Sequence, residues 1–198
     1  MWQTTNRIPQ QNIQEQVEKN IPKQSEENQA IIDSDIRSWQ IKETEFFSAR
    51  FPKEWFWVEP FESTPFSLGA IANVNLESKM VLNPGNLYKS GYKGILVLFT
   101  GIAPTSNLIA NTDKTLSEAV DEFFHDWESR QENKTCTRID TTSEYILKCS
   151  DDSSGVIMAY DYLIIGSRNQ LFLTIFTDAD SVLDGKVFDA ITENIHTK

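Results

Sequence analysis

The sequence predicts an α+β fold: a largely antiparallel β-sheet covered by helices, a layered α/β/α sandwich. Three observations predict it. From Phe46 onward, short segments with the two-residue alternation of strands follow one another across turn signals. Two amphipathic segments, 115–130 and 181–195, open with helix-start signals. Between them and the first strands, Ile95–Phe99 (ILVLF) is apolar without alternation, as a central strand covered on both faces by helices or a second sheet requires.

Residues 1–38 read as a flexible polar tether. Gln, Asn, Glu and Lys dominate, and the isolated Ile and Val cannot offset the entropy of ordering; a transient helix near Asn28–Trp39 is the most structure expected. The domain is read as 39–198. Phe47, Ala49 and Phe51 alternate with Phe46, Ser48 and Arg50 along one strand. Pro52-Lys53-Glu54 turns the chain, and Trp55–Val58 begins the next strand. Pro60 and Pro65 punctuate a loop, Leu68–Leu76 alternates again, and Asn83-Pro84-Gly85-Asn86 reads as a turn.

Thr115–Arg130 is the clearest helix. Thr115-Leu-Ser-Glu118 fits a capping box, and Leu116, Ala119, Val120, Phe123, Phe124 and Trp127 form one apolar stripe. Thr135–Asp140 pairs with Glu144–Ser150, and Val156–Ile165 with Leu171–Thr177. Ser181–Ile195 closes the chain as a second helix, with Leu183, Val187, Ile191 and Ile195 on one side.

Phe47-Ser48-Ala49-Arg50-Phe51-Pro52-Lys53-Glu54-Trp55 resembles the opening signature of PsbP-like domains: a Phe, an alternating strand, an aromatic-Pro pair, two residues, then Trp. The later order of strands and helices matches as well, from about Trp39 to Ile195. The resemblance implies an α/β/α sandwich. It implies a binding or accessory role, as in the extrinsic photosystem II subunit that founds the family, in a similar Ran-binding import factor, and in small prokaryotic members tethered outside the membrane. It carries no catalytic residue.

Net charge is −11, of which −3 falls in the first 45 residues and −8 in the rest. That acidity argues against nucleic acid and anionic membrane surfaces, both of which need clustered Lys and Arg, and suits a basic partner or a cation. No apolar run is long enough to cross a bilayer, and MWQTTNRIPQ has no apolar signal core. The chain is therefore expected either in the cytosol or outside it with an export segment or anchor lying beyond these residues.

The two cysteines carry the sharpest expectation. A two-residue turn at Thr142-Ser143 sets Cys136 directly opposite Cys149, close enough for a disulfide after small adjustment. A disulfide implies an oxidising compartment. The alternatives are two reduced core thiols, or a metal or redox pair, although no CxxC occurs. Asp178, Asp180 and Asp184 invite a calcium reading, but Val182 and Leu183 stand where an EF-hand loop needs a ligand and a Gly. They suit a helix N-terminus better, as Asp151-Asp152-Ser-Ser-Gly155 suits a turn, leaving only a weak surface cation site. His125 and His196 are expected in solvent. No GxSxG elbow or Gly-rich phosphate loop is present, and no cofactor is expected.

Seven of the seventeen residues of Glu45–Phe61 are aromatic. Phe47, Phe51, Trp55 and Trp57 are expected in the core. If the sheet is uncovered at this end, Phe56, Trp57, Phe61 and Phe66 form a candidate interface. The leading expectation is a non-enzymatic binding or accessory domain, extracytoplasmic and held through 1–38, with an unknown protein partner. A cytosolic adaptor is second and a small hydrolase third.

Overall fold

A computed structural model describes residues 36–60, 68–77, 84–89, 91–92, 94–130, 134–151, 157–178 and 189–198. Residues 1–35 of the expected tether, and Phe61, Phe66, Asp180 and Asp184, lie outside the described residues. Two antiparallel sheets form the frame. The smaller has the order β1 (Gln40–Glu43), β2 (Phe47–Phe51), β10 (Ile195–Thr197). The larger has seven strands, ordered β3 (Phe56–Val58), β4 (Gly69–Ala72), β5 (Ile95–Pro104), β9 (Asn169–Asp178), β8 (Ile157–Ile165), β7 (Tyr145–Asp151) and β6 (Lys134–Asp140). The helices are α1 (Pro84–Lys89), α2 (Ser106–Ile109) and α3 (Leu116–Ser129), beside a 3₁₀ turn at Ile36–Ser38 and a helical turn at 189–192.

Alternation decides what each sheet face covers. Phe47, Ala49 and Phe51 of β2 point to one side and pack on Ile95, Val97, Phe99, Ile164, Leu171, Leu173 and Ile175. The small sheet thus covers one face of the large one, with Ile191 from the helical turn at 189–192 beside it. The opposite face is divided. Val58, Ala70, Ala72 and Leu96 pack under α1 with Leu87, Tyr88 and Tyr92. Leu147, Cys149, Leu163 and Ile165 pack under α3 with Val120 and Phe124. β5 is therefore covered on both faces, and Ile95–Val97 and Phe99 are fully buried.

The Pro52 turn is tied rather than loose. The Trp55 amide donates to the Pro52 carbonyl at 3.1 Å, and the Gln40 side-chain amide donates to the carbonyls of Pro52 and Trp55 at 3.0 and 2.6 Å. Gly69 has φ +120, and a Cβ there would strike the Trp57 ring, so only glycine lets the indole lie across β4. Thr115 and Glu118 form the reciprocal cap of α3: the Thr115 hydroxyl accepts from the Glu118 amide, and Glu118 accepts from the Thr115 amide at 2.8 Å. Those bonds hold the Glu118 carboxyl below its ordinary range.

Four expectations are corrected. Asn83-Pro84-Gly85-Asn86 is not a turn throughout: Pro84 opens α1, where a missing amide costs nothing. Leu68–Leu76 shortens to the strand Gly69–Ala72, whereas Ile95–Phe99 runs on to Pro104 through a bulge between Phe99 and Gly101. The closing helix does not reach Ile195. That residue starts β10, opposite Ala49, and meets the same core as Ile191 by strand pairing, which the i,i+4 spacing could not distinguish from helix. His196 is exposed, as expected, but it lies on β10 rather than near a helix end, with Nδ1 3.1 Å from Glu144 Oε2.

Glu144, buried at the β6–β7 turn, secures this C-terminal strand. Its Oε1 accepts from the Thr197 amide at 2.7 Å and from the Thr197 hydroxyl at 2.9 Å. Glu144→Ala leaves the Thr197 donors without their acceptor. It is expected to cost on the order of 2 kcal/mol in urea unfolding and to lower hydrogen-exchange protection in β10 more than in β9.

Candidate functional site

The sequence-predicted site residues are not brought together as one patch. Phe56 and Trp57 are neighbours on β3, so their side chains leave on opposite faces. Phe56 pairs with Ala72 on the α1 side, at the sheet edge, and is 40% exposed. Trp57 pairs with Ile71 and enters the space between the sheets, 5.5 Å from the Phe99 ring and 6.4 Å from Phe47. Lys42 of β1 lies 4.8 Å over the Trp57 ring and donates to Glu59 at 2.9 Å. That ammonium, first, holds the Glu59 carboxyl below its ordinary range. The Trp57 indole N–H contributes to the same lowering second, although it is buried and meets no acceptor at ordinary hydrogen-bond geometry among the described residues. Trp57 is thus largely core, and Phe56 alone of the described pair is open to solvent.

Asp178 is the last residue of β9. Among the described residues no group of three or more His, Cys, Asp or Glu stands together as a metal site. Cys136 and Cys149 are joined by a disulfide, directly opposite on β6 and β7, with Cα atoms 4.1 Å apart. That bond pins the outermost strand of the large sheet to its neighbour under α3.

The concave surface that sequence reasoning missed is a cleft of about 660 Å³ beside α3. Three distant segments build it. The end of β5 continues into α2 and supplies Leu108; α3 supplies Glu122, Phe123 and Asp126; β9 supplies Phe172. The junction is held by buried polar groups. Thr105 donates its hydroxyl to the Gly166 carbonyl at 2.9 Å, and the Gln170 side-chain amide donates to the Pro104 carbonyl at 3.0 Å. Phe123 and Phe172 both pack on Trp127, at 6.1 and 5.8 Å between ring centroids, so the apolar wall is fixed from behind. Glu122 and Asp126 stand at the rim, one helical turn apart. Glu122 is paired with Lys114, and Asp126 with Arg130 at 2.5 Å. All four side chains are well exposed, and pairs of this kind contribute at most about 1 kcal/mol, so an incoming cation can exchange for Lys114 or Arg130 at little cost. The chemistry on offer is recognition, an apolar wall with carboxylates at its edge. It is two consecutive turns of one helix, with residues from segments 103–108 and 170–172, that make it, and no local motif signals such an assembly.

On the other half of the same sheet face, Lys134 of β6 is paired with Asp161 of β8, which also accepts from the Thr174 hydroxyl at 2.8 Å. Arg138 bridges Asp121 on α3 at 2.5 Å and Asp140 at 2.8 Å, which raises its already high pKa further, Asp140 first. Burial pushes the Tyr162 phenol well above its ordinary range, so it stays protonated in the core.

No protein-family model matches the sequence, and no curated protein matches it. Among solved structures the chain is similar to the solution structure of cyanobacterial PsbP (CyanoP) from Synechocystis sp. PCC 6803. Identity is 12%, the match covers 83% of this chain and 95% of that chain, and the TM-score is 0.48. At that level no residue role passes from one protein to the other.

Proposed function

We propose that the protein is a non-enzymatic binding or accessory domain, working outside the cytoplasm and held there through its polar residues 1–38, with 39–198 as the domain. The cleft beside α3 carries the binding reading: an apolar wall of Leu108, Phe123 and Phe172 under the carboxylates of Glu122 and Asp126. Such a concavity suits a basic, partly apolar segment of a protein partner, and the net charge of −11 favours approach of a basic surface over long range. The Cys136–Cys149 disulfide supports the location, since such bonds persist in oxidising compartments.

The cleft is tested with Glu122→Lys/Asp126→Lys. Both positions are exposed, so folding stability is expected to change by no more than about 1 kcal/mol. In-cell crosslinking from a photoreactive group at Asn107 is expected to give a discrete adduct with the wild type and to lose it in the double variant. Equal crosslinking by both proteins removes the cleft from the account.

A further inference from the structure

The outer edge of β6 closes the large sheet on one side, and among the described residues nothing pairs with it. We propose that this edge is a homodimer interface: two copies join β6 to β6 antiparallel about a two-fold axis at Thr137, making the two seven-stranded sheets continuous.

The backbone fixes which groups are on offer. The Cα separation of 4.1 Å at Cys136–Cys149 marks a non-hydrogen-bonded pair. In such a pair the amide and carbonyl point away from the partner strand. The Thr141 amide donates to the Glu144 carbonyl at 2.9 Å, so odd-numbered residues of this ladder bond inward to β7. The amides and carbonyls of Lys134, Cys136, Arg138 and Asp140 therefore face outward. The edge is open to solvent: Thr135 and residues Thr137–Asp140 are exposed, and Ile139 has 47% of its surface in solvent, while Lys134, Arg138 and Asp140 would deter pairing with any strand whose charges do not complement them.

Charge then selects the partner and the register. Even-numbered residues must meet even-numbered ones, so slips occur in steps of two. Centred on Thr137, Lys134 of each copy faces Asp140 of the other, Thr137 faces Thr137, and exposed Ile139 is covered against Thr135. Centred on Cys136, Lys134 would face Arg138; centred on Arg138, two arginines would face each other. Of these three registers only the first sets opposite charges across the axis, twice by symmetry, and like charges directly opposite are destabilising; centring on Ile139 would also set Arg138 against Asp140, but it would overlap only residues 138–140 of each strand. The strand KTCTRID is thus complementary to itself, which is what a two-fold interface requires. The disulfide behind it holds β6 on its own sheet while the outer edge is engaged.

Analytical ultracentrifugation of the full chain over a concentration series tests this. Wild type is expected to form a dimer. Asp140→Lys and, separately, Lys134→Asp each place like charges opposite one another twice, and are expected to weaken dimerisation by about tenfold or more. An equimolar mixture of the two variants restores both pairs and is expected to recover dimers, as heterodimers. Asp140 is exposed, and Arg138 keeps Asp121 when its Asp140 contact is lost, so Asp140→Lys alone remains informative if Lys134→Asp disturbs the Asp161 contact. A wild type that stays monomeric throughout overturns the proposal. So does a dimer that Asp140→Lys leaves intact, or a mixture of two folded variants that stays monomeric.

Discussion

Phe99→Ala is expected to be the most destabilising single change, costing about 3–5 kcal/mol. Phe99 is fully buried on β5 and stacks on Phe47 of β2, with ring centroids 4.6 Å apart and planes 11° apart. That stack, with Trp57 tilted against it, is where the small sheet meets the large one. Removing the ring empties the contact between two sheets that no covalent link beyond the chain itself holds together. At this chain length, about 2–4 °C of melting temperature is lost per kcal/mol, so a fall on the order of 10 °C is expected in thermal unfolding. The fluorescence of Trp57 should change in the folded state as well. A loss under about 1 kcal/mol would mean that the two sheets are not packed through Phe99.

Opening the disulfide is expected to cost about 3 kcal/mol, whether by reduction or by Cys136→Ala/Cys149→Ala. The bond closes a loop between residues 13 apart in sequence, and its main effect is on the unfolded chain, which gains freedom when it is cut. Part of the cost is local, because Cys149 is buried in the cluster under α3 with Leu147, Leu163 and Phe124. Urea unfolding with and without reductant reads the difference directly. An unchanged midpoint would show that β6 and β7 hold their pairing without it.

These two features differ in how they could be read from residues alone. The pairing of Cys136 with Cys149 follows from a two-residue turn and a period of two, and the capping box of α3 follows from Thr115 and Glu118; both are local patterns, and both stand in the structure. β1 and β10 were illegible because they are four and three residues long and mix Gln, Lys, Glu, His and Thr with single aliphatics. They are strands because β2 lies between them, a tertiary cause that leaves no periodicity. The Phe56–Trp57 pair shows the same limit: alternation puts them on opposite faces, but only the placement of β1 and Lys42 tells which face is covered. The cleft was least legible of all, since its wall is assembled from segments some seventy residues apart. By contrast the charge symmetry of KTCTRID is plain in the sequence, yet it has meaning only once β6 is known to be an edge.

The central claim, a binding domain that works in an oxidising compartment, is tested most directly by the thiol state of the protein in its own cells. Cells are quenched in acid, proteins are alkylated under denaturing conditions without reductant, and the mass of this chain is measured. The account predicts that neither Cys136 nor Cys149 takes up label, and that both do after reduction. Two labelled cysteines before reduction would contradict it, and would favour a cytosolic adaptor instead.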